Sequence, residues 1–145
     1  VGSPLVSGRE VCAVTNQGRI GCFDVASGQQ RWARDFSSSS GLEIDPRFVF
    51  AADADSNVHA FSRTGTSVWR QDRLARRGLT MPLSVGRAIV MGDRLGLVHA
   101  LSREEGTVLA RATTGGGPIV APPVAADDVV VIQTTTGGLH AFRLE

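Results

Sequence analysis

The sequence predicts an all-β fold, a β-propeller of four-stranded antiparallel blades, with about four blades in its 145 residues. Three observations predict it. First, one short segment recurs: Gly18-Arg19-Ile20-Gly21-Cys22-Phe23-Asp24, Ser56-Asn57-Val58-His59-Ala60-Phe61-Ser62, Gly96-Leu97-Val98-His99-Ala100-Leu101-Ser102, and the shorter Gly138-Leu139-His140-Ala141-Phe142. Its Phe/Leu position falls at 23, 61, 101 and 142, in steps of 38, 40 and 41 residues, and a period near 40 marks a repeat architecture. Second, each repeat divides into four short extended pieces joined by turn residues, the pattern of a propeller blade. Third, no stretch shows sustained helical periodicity.

Each unit opens nineteen residues before the Phe/Leu marker, at Pro4, Leu42, Pro82 and Pro123. The first strand is short: Pro4-Leu5-Val6, Leu42-Glu43-Ile44, Pro82-Leu83-Ser84-Val85 and Pro123-Val124-Ala125. Ser7-Gly8, Asp45-Pro46, Gly86 and Asp127-Asp128 then mark a turn, because Gly accepts positive φ, Pro presets φ and Asp bonds its own backbone. The second strand is an apolar run, Val11-Cys12-Ala13-Val14, Phe48-Val49-Phe50-Ala51, Ala88-Ile89-Val90-Met91 and Val129-Val130-Val131-Ile132. Runs apolar on both faces suit strands covered on both sides. A second turn, at Thr15 to Gly18, Asp53 to Asn57, Asp93 to Gly96 and Thr135 to Gly138, leads into the marker strand. Tight turns at Ser27-Gly28, Thr64-Gly65 and Glu105-Gly106 precede a fourth strand that carries Trp32, Trp69 and Ala110, each four residues past the glycine.

One large ring per blade fills the wedge between adjacent sheets, so Trp32 and Trp69 are expected to be buried at blade junctions. Ala110 leaves the third junction either filled by other side chains or looser. The one helix candidate is Arg70 to Arg77, one or two turns ended by Gly78.

The units run roughly 1–37, 38–78, 79–117 and 118–145, within one propeller domain over 1–145. The last unit stops after its third strand. Propellers have roughly four to eight blades. Two arrangements are therefore open: a small propeller lacking one strand, or the C-terminal half of a larger ring closed by a strand from its N-terminal end. The half-ring is preferred. It exposes two apolar blade faces, which are expected to make it insoluble or dimeric unless the missing N-terminal half of the propeller covers them.

Cys12 and Cys22 lie in one hairpin whose turn is centred on Gln17, the midpoint of the two positions. Symmetry sets them opposite each other across the ladder, at a Cα separation of about 4.5–5.5 Å, within the range a disulfide accepts. Two outcomes are compatible with that placement: a disulfide, or a pair of buried reduced thiols.

All three histidines, His59, His99 and His140, share one repeat position. Zinc needs its nitrogens within about 2.1 Å of one point. Equivalent positions on neighbouring blades are on the order of 10 Å apart, since each third strand lies about two strand spacings off the axis. Inter-blade packing is expected for them, and no metal site. Arg70, Arg73, Arg76 and Arg77 form the one basic cluster, offset only by Asp72. It reads either as a solvated loop or as an edge meeting an acidic partner, with Arg73, Arg76 and Arg77 as the partner-binding candidates. The net charge of +1 gives no strong pull toward nucleic acid or anionic lipid, and no apolar stretch approaches membrane-spanning length.

The pattern Gly-x-Val-x-Ala-Phe/Leu-Asp, then Thr/Ser-Gly, then Trp resembles the repeat of pyrroloquinoline-quinone-type propellers. Within them the chain resembles the BamB family of lipoproteins from the outer-membrane β-barrel assembly machinery. The residues that carry this are Ser3-Pro4-Leu5-Val6 with Gly18 to Trp32, Leu79-Thr80-Met81-Pro82 before Val90-Met91-Gly92-Asp93, and the ending Ala121-Pro122-Pro123-Val124-Ala125-Ala126-Asp127. The resemblance implies a non-enzymatic, eight-bladed periplasmic scaffold, held at the inner leaflet of the outer membrane by an N-terminal lipid not present in this chain. It implies binding to the periplasmic domains of the barrel-forming subunit. The family's best-known partner-binding loop would precede Val1.

Two other functional classes share this architecture. Quinone-dependent dehydrogenases share this repeat but gather a carboxylate, calcium ligands and a vicinal disulfide about the axis. The two cysteines here are ten apart. Asp24, Asp53, Asp55, Asp93, Asp127 and Asp128 all fall at turns, where turn chemistry accounts for them. Fold alone gives no chemistry, and no cofactor or catalytic residue is expected. A ligand-sensing propeller would be marked by a long polar loop, and the loops are mostly short.

Overall fold

The computed structural model describes residues 3–15, 18–38 and 40–144. The turn residues Asn16 and Gln17 and the terminal Val1 and Glu145 lie outside them. Four antiparallel sheets follow one another along the chain. The first holds β1 (Leu5–Ser7), β2 (Glu10–Val14), β3 (Arg19–Asp24) and β4 (Gln30–Asp35). The second holds β5 (Leu42–Ile44), β6 (Phe48–Ala52), β7 (Val58–Ser62) and β8 (Ser67–Gln71). The third holds β9 (Leu83–Val85), β10 (Ala88–Gly92), β11 (Leu97–Ser102) and β12 (Val108–Thr113). The fourth holds β13 (Val124–Ala126), β14 (Val129–Gln133) and β15 (Leu139–Arg143).

Strands pair strictly in sequence order within each sheet. The first strands β1, β5 and β9 approach one another, which puts them on the inside of the arc. The register slips at the same repeat position in three sheets, between Cys22 and Phe23, Ala60 and Phe61, and Ala100 and Leu101. A bulge there strengthens the local twist of the outer strand pair.

The core sits between the sheets, in three clusters, one per junction. Period-2 alternation explains this: each strand sends one set of side chains forward to the next sheet and the other back to the preceding one. Position decides which are covered. Phe61, on the back face of the second sheet, is 4% exposed, while Phe23, at the same repeat position in the first, is 36% exposed. On the forward face, Phe50 is fully buried and its fourth-sheet equivalent Val131 is 42% exposed. Two apolar faces thus stand open at the ends of the arc.

Trp32 and Trp69 are both buried and reach across a junction. The Trp32 Nε1–H donates to the Arg63 carbonyl at 3.0 Å, and the Trp69 Nε1–H to the Arg103 carbonyl at 2.9 Å. Each ring lies on the turn glycine of the next sheet. A Cβ at Gly65 would sit 2.6 Å from Trp32 Cδ2, and one at Gly106 would sit 2.4 Å from Trp69 Cε3. Both glycines also hold positive φ, so the position excludes side chains twice over.

Cys12 and Cys22 are paired across β2 and β3, with Cα atoms 4.1 Å apart and a disulfide between them.

The segment Arg70 to Arg77 is not a helix. Arg70 and Gln71 close β8, and residues 72–77 form turns. Three demands prevail over local propensity there. Trp69 needs an extended backbone to reach the next sheet, Leu74 is fully buried in the second junction, and Arg76 stands at φ 65.

Candidate docking surface

The antiparallel order puts the turns between second and third strands on the same side of the arc as the sheet-to-sheet links. On this side the link over residues 72–82 and the turn over residues 93–96 meet. The turn is fixed from within by Asp93. Its Oδ1 accepts the amides of Leu95 and Leu97 at 2.8 and 3.0 Å. Its Oδ2 accepts the Nε2–H of His99 at 2.7 Å, a tautomer set by Arg111, whose Nε donates to His99 Nδ1 at 3.3 Å. Burial raises the Asp93 pKa, but the bonds from His99 and from the amides of Leu97 and Leu95 outweigh it and hold the carboxyl below its usual range. Burial pushes His99 down, so its imidazole is neutral.

The turn is also clamped from both sides. The Arg94 amide donates to the Arg77 carbonyl at 3.1 Å, and Arg94 Nη2 to the Arg76 carbonyl at 2.8 Å. From the following link, Thr114 Oγ1 donates to the Gly96 carbonyl at 2.8 Å and the Ile119 amide to the Asp93 carbonyl at 2.9 Å. The tip that emerges from this clamp carries Arg94 and Leu95, both exposed, with Leu95 at 73%.

The candidate arginines separate. Arg73 and Arg76 are exposed. Arg77 turns inward, with Nη1 3.5 Å from Asp93 Oδ2 and its side chain largely covered. Arg94 takes its place beside Arg76. The sequence carried a signal for Leu95: the same turn position reads Gln17, Asp55, Leu95 and Thr136 in the four units, and one of these is a large apolar residue.

The histidines do more than pack between blades. His59 does meet a ring of the preceding sheet, edge-on to Phe36 at 4.9 Å between centroids. His59 Nε2 also lies 2.9 Å from Asp53 Oδ2, repeating the Asp93–His99 pair. Asp53 Oδ1 accepts the amides of Asp55 and Asn57 at 2.9 and 3.0 Å. Each carboxylate thus serves its turn with one oxygen and a histidine with the other. The fourth unit has Thr134 at the carboxylate position, where its Oγ1 accepts the Gly138 amide at 3.0 Å. Asp24 is held at about 2 by Arg31, whose Nη2 donates to it at 2.9 Å, and by the Ser27 amide.

The family described as outer membrane protein assembly factor BamB matches the chain over residues 1–64 and 54–145. A BamB of Bordetella pertussis is 51% identical over 117 residues, which is 79% of this chain and 30% of that protein. A BamB of Burkholderia pseudomallei is 46% identical over 143 residues, 98% of this chain and 38% of that protein. The crystal structure of BamB from Moraxella catarrhalis superposes with a TM-score of 0.91 at 28% identity, over 99% of this chain and 43% of that one. The chain spans about a third of the length of the curated relatives it matches.

Proposed function

The chain belongs to the BamB family of outer membrane protein assembly factors, and from that premise we propose that it is the C-terminal half of an eight-bladed, non-enzymatic periplasmic scaffold. Units 1–37, 38–78, 79–117 and 118–145 are its blades. The two open apolar faces are blade junctions completed by an N-terminal half. A lipid on that half holds the ring at the inner leaflet of the outer membrane. The scaffold binds the periplasmic domains of the barrel-forming subunit and so assists insertion of β-barrel proteins.

One observation carries the reading. The buried Asp93 and His99 and the half-buried Asp53 and His59 are engaged in turns and hairpins, while Arg73, Arg76 and Arg94 face solvent on one side of the arc. This chemistry suits recognition of an acidic surface. In a titration of the chain against the barrel-forming subunit's periplasmic domains, Arg73→Glu with Arg76→Glu weakens binding, and added salt mimics the change. Unchanged affinity in the double variant removes these arginines from the contact.

A further inference from the structure

We propose that the β10–β11 tip is an interaction surface, with Leu95 as its apolar anchor inside a basic collar of Arg94, Arg76 and Arg73. It fits a protein domain that offers an apolar pocket rimmed by carboxylates. The inference rests on the scaffold reading and adds to it a place and an anchor.

A leucine 73% exposed at a turn tip contributes nothing to the core. Singly exposed apolar side chains are common and need no explanation. Leu95 differs from them in three respects. Its backbone is immobilised: its amide is held by Asp93 Oδ1 at 2.8 Å, and the turn is bonded to both neighbouring links. An anchor already ordered before binding loses little entropy on docking. It is also the apolar exception at a turn position that is polar in the other three units. And it has apolar and charged company of the right kind. Val120, one residue past the Ile119 amide that bonds Asp93, is exposed on the link side. The Arg94 guanidinium, on the residue preceding the anchor, is pinned against the Arg76 carbonyl at 2.8 Å, which fixes one positive charge at the base of the tip.

Charge complementarity selects the partner. By the strand order, the link side carries Arg19, Arg34, Arg70, Arg73, Arg76, Arg77, Arg94 and Arg111 against Asp35, Asp53, Asp55, Asp72 and Asp93. Arg77 offsets the buried Asp93 and Arg19 offsets Asp35, whereas Asp53 keeps its negative charge, since hydrogen bonds from turn amides do not cancel a carboxylate's charge. The exposed Arg34, Arg70, Arg73, Arg76, Arg94 and Arg111 then outnumber Asp53, Asp55 and Asp72, so the link side keeps an excess of positive charge, to which Arg94, Arg76 and Arg73 contribute near the tip. A buried apolar anchor ringed by charges that steer the approach is the usual division of labour in an interface.

The test uses the full chain and, as probe, the periplasmic domains of the barrel-forming subunit from the same organism, with affinity measured across a salt series. Leu95→Asp is expected to weaken binding about 30-fold, as for a central anchor, with the salt dependence retained. Leu95→Ala weakens it in the same direction, and its thermal midpoint matches the parent because no buried contact is lost. Arg94→Glu with Arg76→Glu flattens the salt dependence. If the parent binds and both Leu95 variants stay within twofold of it, the anchor is overturned while the scaffold reading stands. If the parent does not bind, both fall.

Discussion

The second and third sheet junctions use the same repeat positions and close differently. Between the second and third sheets, Trp69 lies on Gly106, Gln71 Nε2 donates to the Gly106 carbonyl at 2.9 Å, and Arg103 Nε comes within 3.5 Å of Asp45 Oδ2. The first junction repeats the set with Trp32 on Gly65, Arg34 bonded to the Gly65 carbonyl, and Arg63 Nη2 donating to Glu10 Oε1 at 2.7 Å. Between the third and fourth sheets the corresponding residues are Ala110, Ala112 and Leu144, and none of them can make these ties.

The link-side end of that third junction is closed by Ile119, which is buried against Gly92. Its other end is a cleft of about 670 Å³ lined by residues including Val85, Ala100, Leu109, Ala110, Asp127 and Leu144. Phe142, equivalent to the buried Phe61 and Leu101, is only partly covered. The repeat supplies the sheets, and the fourth strand of each sheet decides how tightly the next one is held.

The largest expected effect comes from removing a filled wedge. Trp69→Ala should cost about 3–5 kcal/mol in urea unfolding, as for large aromatic core residues, and Trp32→Ala a similar amount. A loss below about 1 kcal/mol at both positions would break the comparison, since the closed junctions would then not depend on their rings.

The glycine beneath the ring is the next lever. Gly106→Ala drives a Cβ against Trp69 in a backbone at φ 75, so overpacking of about 1–3 kcal/mol adds to the backbone strain. Gly28 has a similar φ, and a Cβ there meets nothing within 4 Å. Gly28→Ala should show the strain alone. Equal losses in the two variants would mean that the ring exerts no steric demand.

The hairpin of unit 3 offers a smaller effect, through pH. His99 is held below its ordinary value of 6.5, so the unfolded chain binds a proton that the folded one refuses. The resulting stability is fully present above about pH 6.5 and is lost as pH falls from there toward the folded-state value. Asp93, depressed below 3.8, adds a second loss at still lower pH. Urea midpoints measured from pH 7 to 5 should fall in the parent and fall less in His99→Gln.

Much of this architecture was legible in the sequence, because a 40-residue period, turn residues and two-faced apolar runs are local signals. The symmetry of the 12–22 hairpin placed its cysteines opposite each other for the same reason. The Trp/Ala difference at 32, 69 and 110 pointed to a third junction either looser or otherwise filled, and the structure has Ile119 at one end and a cleft at the other. Three features were not legible, and each depends on contacts between units. Arg70 to Arg77 is turn rather than helix because of what Trp69 and Leu74 meet in the next sheet. Arg77 points inward because Asp93 lies beneath it. The Asp53–His59 and Asp93–His99 pairs needed the register of each hairpin before two residues six apart could be joined. Leu95 was missed by the sequence reading, although comparing the turn position across units carries its signal, and Arg94 joins the collar only once the link carrying Arg76 is folded against it.

The central claim is that the fourth-strand side chain sets the hold on the next sheet. Amide hydrogen exchange, read strand by strand in the parent and in Ala110→Trp, tests it most directly. The account predicts that β14 exchanges faster than β6 and β10 in the parent, and that Ala110→Trp slows β14 by filling the cleft while leaving β6 unchanged. Equal protection of β14 and β10 in the parent, or a β14 that Ala110→Trp leaves unprotected in a folded chain, would contradict it.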